Sequence, residues 1–293
     1  MAEVHHFTYG VFNPIAAFLL AFLGSFFGLL STARARDART RGRRNRWLLI
    51  GAFAIGGGAI WLMHFAAMLG FEVPASPVRF DVPMTVASLA FAVFAVGAGL
   101  LMVGHGRRSL PRVVTAGVLT GGGVLAMHYT GMLGMHVSGE MRYDLTLVAA
   151  SAIIAVVAST VALWFTVSVR GWLPISGAAV IMAIAVCGMH YTGMAAMSVH
   201  LDPGAPTGVT GLRPLTMIVP ITLITAASIV GVALSALQAM TEEEFTDGAG
   251  TPRRGVHAET SGVSWSLKQA TAAQTAVRRP SPRPVPMRTP TNG

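Results

Sequence analysis

The sequence predicts an all-α, polytopic membrane protein. The expected architecture is a helical bundle of seven transmembrane helices, built as three parallel helix-pair repeats plus one extra helix and followed by a disordered C-terminal tail. Three observations carry this expectation. Of 293 residues, 53% are hydrophobic and only 11% are charged, against roughly 25% charged in a soluble domain. The apolar residues come in continuous runs near the ~20 residues that a helix needs to cross a bilayer. One short pattern recurs three times, near the ends of alternate runs.

The runs are Ile15–Ala33, Trp47–Gly70, Met84–Val103, Val113–Gly134, Leu145–Val167, Leu173–Met197 and Met217–Leu237. They lack the period-two alternation of barrel strands and are read as helices. The first is not a secretory signal, because no Lys or Arg precedes it within the first twelve residues. After it comes a loop with Arg34, Arg36, Arg39, Arg41, Arg43, Arg44 and Arg46; the third loop has Arg107, Arg108 and Arg112, and the fifth has Arg170. With seven basic residues in the tail, 18 lie on one side, against Arg79, Arg142 and Arg213 on the other. The positive-inside rule then places the N-terminus outside and the C-terminus in the cytoplasm of the plasma (inner) membrane.

Short loops make neighbouring helices antiparallel. Spans one and two, three and four, and five and six form pairs that each start and return outside, so the repeats are parallel and are expected to surround a pseudo-threefold axis. Gly24-x-x-x-Gly28 and Gly117-x-x-x-Gly121 are close-packing pairs. Gly56-Gly57-Gly58 and Gly121-Gly122-Gly123 fall about two turns before the recurrent pattern, where they serve packing or act as hinges. Residues 10–240 are thus read as the membrane domain. Residues 241–293 are read as a cytoplasmic, basic, Pro-rich disordered tail, with Arg279-Pro280-Ser281-Pro282-Arg283-Pro284 its clearest stretch. A net charge of +9 spread over loops and tail, 20 of its 21 basic residues being Arg, does not describe a nucleic-acid binder. The single cysteine, Cys187, forms no internal disulfide.

The recurrent pattern is Met63-His64-Phe65-Ala66-Ala67-Met68, Met127-His128-Tyr129-Thr130-Gly131-Met132 and Met189-His190-Tyr191-Thr192-Gly193-Met194, with histidines 64 and 62 residues apart. Each histidine sits on the order of 10 Å below the outer boundary, at 1.5 Å per residue. His at i and Met at i+4 share a helix face, and Met135 and Met197 at i+7, with Phe71 in the first copy, would continue it. An ionisable residue inside a bilayer is costly and marks function. Thioether sulfur suits Cu(I) and imidazole suits copper, zinc, iron and nickel. Hard oxygen donors are missing, which disfavours magnesium and calcium. The candidate metal ligands are therefore Met63, His64, Met68, Met127, His128, Met132, Met189, His190 and Met194, with copper first and heme iron second. A structural polar cluster and a proton path are the competing readings. Cys187, His136, His200, His5 and His6 are secondary candidates as ligands or for metal delivery. The hydroxyls of Tyr129 and Tyr191 either anchor at the interface or hydrogen-bond a ligand histidine.

Met127-His128-Tyr129-Thr130 and Met189-His190-Tyr191-Thr192 match in full the tetrapeptide that names the MHYT domain, a bacterial integral-membrane sensor module, and the chain resembles that family over about residues 10–240. Met63-His64-Phe65-Ala66 is the degenerate copy. The resemblance implies sensing of O2, CO or NO through copper held by the Met and His residues near the outer face. Family members often carry a cyclic-dinucleotide synthase, phosphodiesterase or kinase domain. No such domain is read here, so the expected output is to a separate cytoplasmic signalling protein. The alternative is a copper-handling transporter or heme-binding membrane protein. No nucleophile–base pair, acidic dyad or phosphate loop is visible, and the chain is read as a non-enzyme whose partners are the lipid bilayer and a diatomic gas.

Overall fold

The computed structural model describes residues 2–106, 109–201, 210–214 and six single positions between 216 and 231. Among the described residues, six helices are long and apolar enough to cross a membrane: α1 (Phe12–Asp37), α2 (Arg41–Met68), α3 (Val82–Gly104), α4 (Leu110–Leu133), α5 (Leu145–Ser168) and α6 (Trp172–Ala195). The chain is a multi-pass helical membrane protein. The expected seventh span, Met217–Leu237, falls outside the described residues apart from isolated positions, as does the whole of 241–293.

Helices run further than the apolar runs at the arginine-rich end. α1 continues through Arg34 and Arg36 to Asp37, where cations suit the negative end of the helix dipole. α2 begins at Arg41, six residues ahead of the expected Trp47, because the Thr40 side chain accepts the Arg43 N–H and caps it. Hydropathy cannot see such turns, since they are helical without being apolar. Asp81 caps α3 by accepting the Met84 N–H at 2.8 Å. Asp144 caps α5 by accepting the N–H groups of Thr146 and Leu147 at 2.7 and 3.2 Å.

Each helix packs on its successor and α6 packs back on α1, so the six close a ring. Glycine sets how closely they approach. A Cβ on Gly24 would run into the backbone of Ala54 and Ala59 of α2, and one on Gly121 would lie 2.7 Å from Val156 Cα of α5. Both GxxxG pairs therefore serve close packing. The Gly56-Gly57-Gly58 run has a further consequence: Phe53–Leu62 is wound as a π-helix in the middle of α2. A Cβ on Gly56 would lie 2.7 Å from the Ala92 carbonyl oxygen of α3, so the widened turn sits against bare backbone.

The all-helical expectation omits four short strands at the motif end. β1 (Arg79–Phe80) pairs antiparallel with β2 (Met135–His136), and β3 (Gly139–Tyr143) pairs antiparallel with β4 (Met197–Leu201). Bridges from His5 to Glu72 and from Phe80 to Leu212, with a hydrogen bond from Ala2 N–H to the Val199 carbonyl, lace the loops together. The strands also correct the expected i+7 face. α4 ends at Leu133 and α6 at Ala195, so Met135 and Met197 are buried strand residues, not continuations of a helix stripe. Phe71 likewise lies beyond the end of α2.

Two predictions follow from this packing. Gly121→Val should destabilise the protein by about 1–3 kcal/mol through overpacking, while Gly122→Ala, whose Cβ meets nothing within 4 Å, should not; denaturant titration in detergent compares them. The hydrogen bonds from Leu147 and then Thr146 hold the Asp144 carboxyl below its usual range. The folded form is thus favoured at pH values above the ordinary carboxylate range, and this contribution fades as pH falls through the depressed value. Asp144→Ala should flatten the acid limb of a stability–pH profile.

Candidate metal centre

The three motif histidines sit four or five residues before the ends of α2, α4 and α6, about 7 Å from the helix ends at 1.5 Å per residue. That is slightly shallower than the expected depth, because the helices stop short of the apolar runs. Alternate helices of a closed ring carry them, and all three side chains turn inward. His64, His128 and His190 are fully buried. Their ring centroids form a nearly equilateral triangle of 5.0, 5.0 and 5.3 Å, and each ring stands close to perpendicular to the next, at 79°, 83° and 88°.

The same nitrogen of each ring faces the centre. His64 Nδ1 lies 3.0 Å from His190 Nδ1 and 3.2 Å from His128 Nδ1. Behind the rings, glycine makes room. A Cβ on Gly131 would lie 2.5 Å from His64 Nε2, and one on Gly193 would run into His128 Nε2. The glycine of one motif copy therefore backs the histidine of the preceding copy. The first copy carries Ala67 at the equivalent position. The repeated glycine, three residues after each of the last two histidines, was visible in the sequence, but its partner across the ring was not.

This arrangement leaves buried polar atoms bare. Nε2 of His64 and of His128 has no hydrogen-bond partner among the described residues. A proton on Nε2 leaves that N–H unsatisfied and aims a lone pair inward from Nδ1. A proton on one Nδ1 can be donated to a neighbouring Nδ1 lone pair, but it leaves that ring's own Nε2 without a donor. Either tautomer costs about 1–3 kcal/mol per bare buried atom. A cation facing the three Nδ1 lone pairs fits this donor set. Imidazole–metal bonds of about 2.0 Å place trigonal donors about 3.5 Å apart, a few tenths of an ångström wider than the spacing seen. Among the described residues, these three form a group able to hold a metal ion, with their donor atoms within 4.8 Å of one another and no carboxylate in the group.

The six motif methionines are all buried. Met68, Met127, Met132, Met189 and Met194 belong to the main apolar cluster, and Met63 to a small one shared by α1, α2 and α6 that borders Cys187 and Tyr191. The tyrosines do not hydrogen-bond the histidines. Tyr129 Oη pairs with Ser151 Oγ at 3.0 Å, while Tyr191 Oη is buried without a partner among the described residues and its ring packs on Phe7. Their rings lie edge-on against His128 and His190, at 4.9 and 5.0 Å. His6 is half-buried over Phe71, and burial lowers its pKa. It is within electrostatic reach of His190. His136 and His200 belong to the strands beyond the helix ends, His136 exposed and His200 half-buried.

Gly131→Ala should push the His64 ring from the triangle and, if the triangle takes a metal, weaken its retention about 10–100-fold, as removal of a ligand's supporting contact does. Gly122→Ala in the same helix should leave retention unchanged. Metal titration of both variants, with matched thermal unfolding, measures this.

The family model described as MHYT, "Bacterial signalling protein N terminal repeat", matches residues 57–116, 121–179 and 184–244. Each matched unit runs from a motif helix toward the next, a register one helix later than the hairpin pairs expected from loop length. Similar proteins include the bifunctional diguanylate cyclase/cyclic di-GMP phosphodiesterase MucR of Pseudomonas aeruginosa, 36% identical over 78% of this chain and 34% of its own. The cyclic di-GMP phosphodiesterase NbdA of the same organism is 35% identical over 68% of this chain and 26% of its own. The signaling protein YkoW of Bacillus subtilis is 29% identical over 69% of this chain and 26% of its own. The matched region spans about a third or less of these relatives, so their activities are those of longer proteins. No solved structure matches the chain. Three family repeats over more than half its length, together with these relatives, place the chain in the MHYT family of bacterial membrane signalling proteins.

Proposed function

We propose that this membrane domain is a sensor for a diatomic gas, O2, CO or NO. In this reading a metal, copper by preference, is held near the outer face and the state of the site passes to a cytoplasmic signalling partner. The observation that carries it is the convergence of three Nδ1 atoms inside the bundle. His64, His128 and His190 would be the primary ligands, with Met63, Met68, Met127, Met132, Met189 and Met194 as the soft donors around them. When bound, Cu(I) would supply a coordination position open to a small ligand. Eighteen basic residues against three support an inner-membrane protein with its C-terminus in the cytoplasm.

The chain's own part is to hold three neutral donors in a dry, enclosed ring. Burial keeps water away. The glycines fix the ring planes from behind, and the laced loops close the motif end. His64 lies two residues past the π-helical stretch of α2, and such turns recur at functional sites. A shift of His64 would change the winding of that stretch and move the arginine-rich end of α2. A ligand must favour one winding over the other for the signal to pass.

Ring centroids 5.0–5.3 Å apart leave no slot for a porphyrin, which supports a metal ion over heme. Along the axis below the site lies a cavity of about 60 Å3 lined mainly by Ile60, Val96, Leu100, Val124 and similar side chains, with Met182 and Met189 as its soft donors. Its polar groups are the hydroxyls of Ser25, Thr120, Ser159 and Thr166, and the lack of a charged or imidazole side chain among the described lining residues supports sensing over passage of ions through the bundle.

Metal analysis with an absorption spectrum tests the reading on detergent-purified protein beside the His64→Ala/His128→Ala/His190→Ala variant. Copper near one equivalent in the parent and at least tenfold less in the variant is the expected outcome. Equal metal in both would refute it, and a Soret band lost in the variant would make this a heme protein.

A further inference from the structure

At the end of the ring opposite the histidines, a second cavity of about 190 Å3 opens among the ends of α1, α2, α3 and α5. Arg36, Arg44 and Arg170 line it, each from a different part of the chain, and no Asp or Glu is among the described lining residues. A fourth arginine stands at the rim: Arg112 lies over Gly106, a lining residue with a φ of 87°, and donates to the His105 carbonyl at 2.7 Å.

The arginines have different tasks. Arg36 reaches from α1 to the last turn of α5, donating to the carbonyls of Thr166, at 2.6 Å, and Val169. It braces the wall and adds its charge. The hydroxyls of Thr32 and Thr166 are spent on the carbonyls of Leu29 and Leu163. Arg44 differs, because its Nε is shielded from solvent and has no hydrogen-bond partner among the described residues. Guanidinium cannot shed its proton to relieve that burial.

We infer that this cavity binds a phosphate-type oxyanion, with Arg44 and Arg170 as direct donors. Guanidinium forks match phosphate oxygens in bidentate fashion, and Arg44 and Arg170 both line the cavity with no Asp or Glu among its described lining residues. The space is several times the ~30 Å3 of one water, enough for a phosphate group and its ester link. The same chemistry is offered by a soluble phosphate and by a phospholipid headgroup at membrane level. The cavity shares Leu100 and Thr166 with the axial apolar cavity, whose lining reaches Met189 of the third motif. An anion here would therefore sit at the opposite end of one axis from the histidines. The inference does not depend on a metal.

The test uses the full chain in phosphatidylcholine nanodiscs. Thermal unfolding is followed against inorganic phosphate at constant ionic strength, for the parent, Arg44→Gln/Arg170→Gln, and the charge-matched Arg39→Gln/Arg41→Gln outside the cavity. Saturable stabilisation in the parent and the matched control, with at least tenfold weaker apparent affinity in the cavity variant, establishes a soluble-phosphate site. In the second arm, phosphatidylglycerol is added and native mass spectrometry counts retained lipids. One lipid held by the parent and the control but lost from the cavity variant assigns a headgroup. If the Gln variant does not fold, Arg44→Lys/Arg170→Lys replaces it and should weaken binding while keeping charge. Equal phosphate and lipid responses in the cavity variant and control, or no response in the parent, would overturn the inference. Metal content measured on the same samples should be unchanged, which separates this outcome from failure of the histidine site.

Discussion

Everything near the motif end depends on one constraint: three imidazoles share a space inside a bilayer bundle with no carboxylate in their group. In hydrocarbon, each bare polar atom is expensive. The fold gathers the three rings so that their Nδ1 atoms face one another, while Nε2 of His64 and of His128 stays bare. This demands helices close enough to bring the rings to 5 Å, and hence glycine where backbones meet, at Gly24 and Gly121, and where rings back onto helices, at Gly131 and Gly193. It also demands a closed ring, so that alternate helices carry donors of equal depth to one axis.

The same ring has two unlike ends. One is apolar, laced by short strands, and holds the histidines. The other carries arginines that brace helix ends, as Arg36 does across to α5. α2 links the ends directly, running from Arg41 through the π-helical stretch to His64 and Met68. The helix of uneven winding thus joins a buried imidazole to a charged mouth, and a π-helical turn can change its hydrogen-bond pattern without unfolding the rest.

Much of this was legible in the sequence, for identifiable reasons. Long apolar runs and few charges marked the membrane helices, and six of them stand within a few residues of expectation. The repeat of His64, His128 and His190 announced their meeting, because equal spacing in a chain of antiparallel helices returns each histidine to the same depth. What escaped was information held between helices. Met135 and Met197 carry helical spacing in the sequence but lie in strands, because pairing with Phe80 and Tyr143 wins after the helix ends. Tyr129 found Ser151 on the neighbouring helix in place of a histidine. The π-helical winding at Gly56-Gly57-Gly58 arises where α2 meets the bare backbone of α3, a contact that periodicity within one helix cannot report.

The most direct test of the central claim is X-ray absorption at the edge of whatever metal the purified protein retains. Three imidazole nitrogens at about 2.0 Å, with multiple scattering from the rings, are predicted. The nitrogen contribution should be lost when the three histidines are replaced. A first shell of sulfur or oxygen without imidazole scattering would contradict the account, because the convergent nitrogens would then be a structural cluster and not the ligand set.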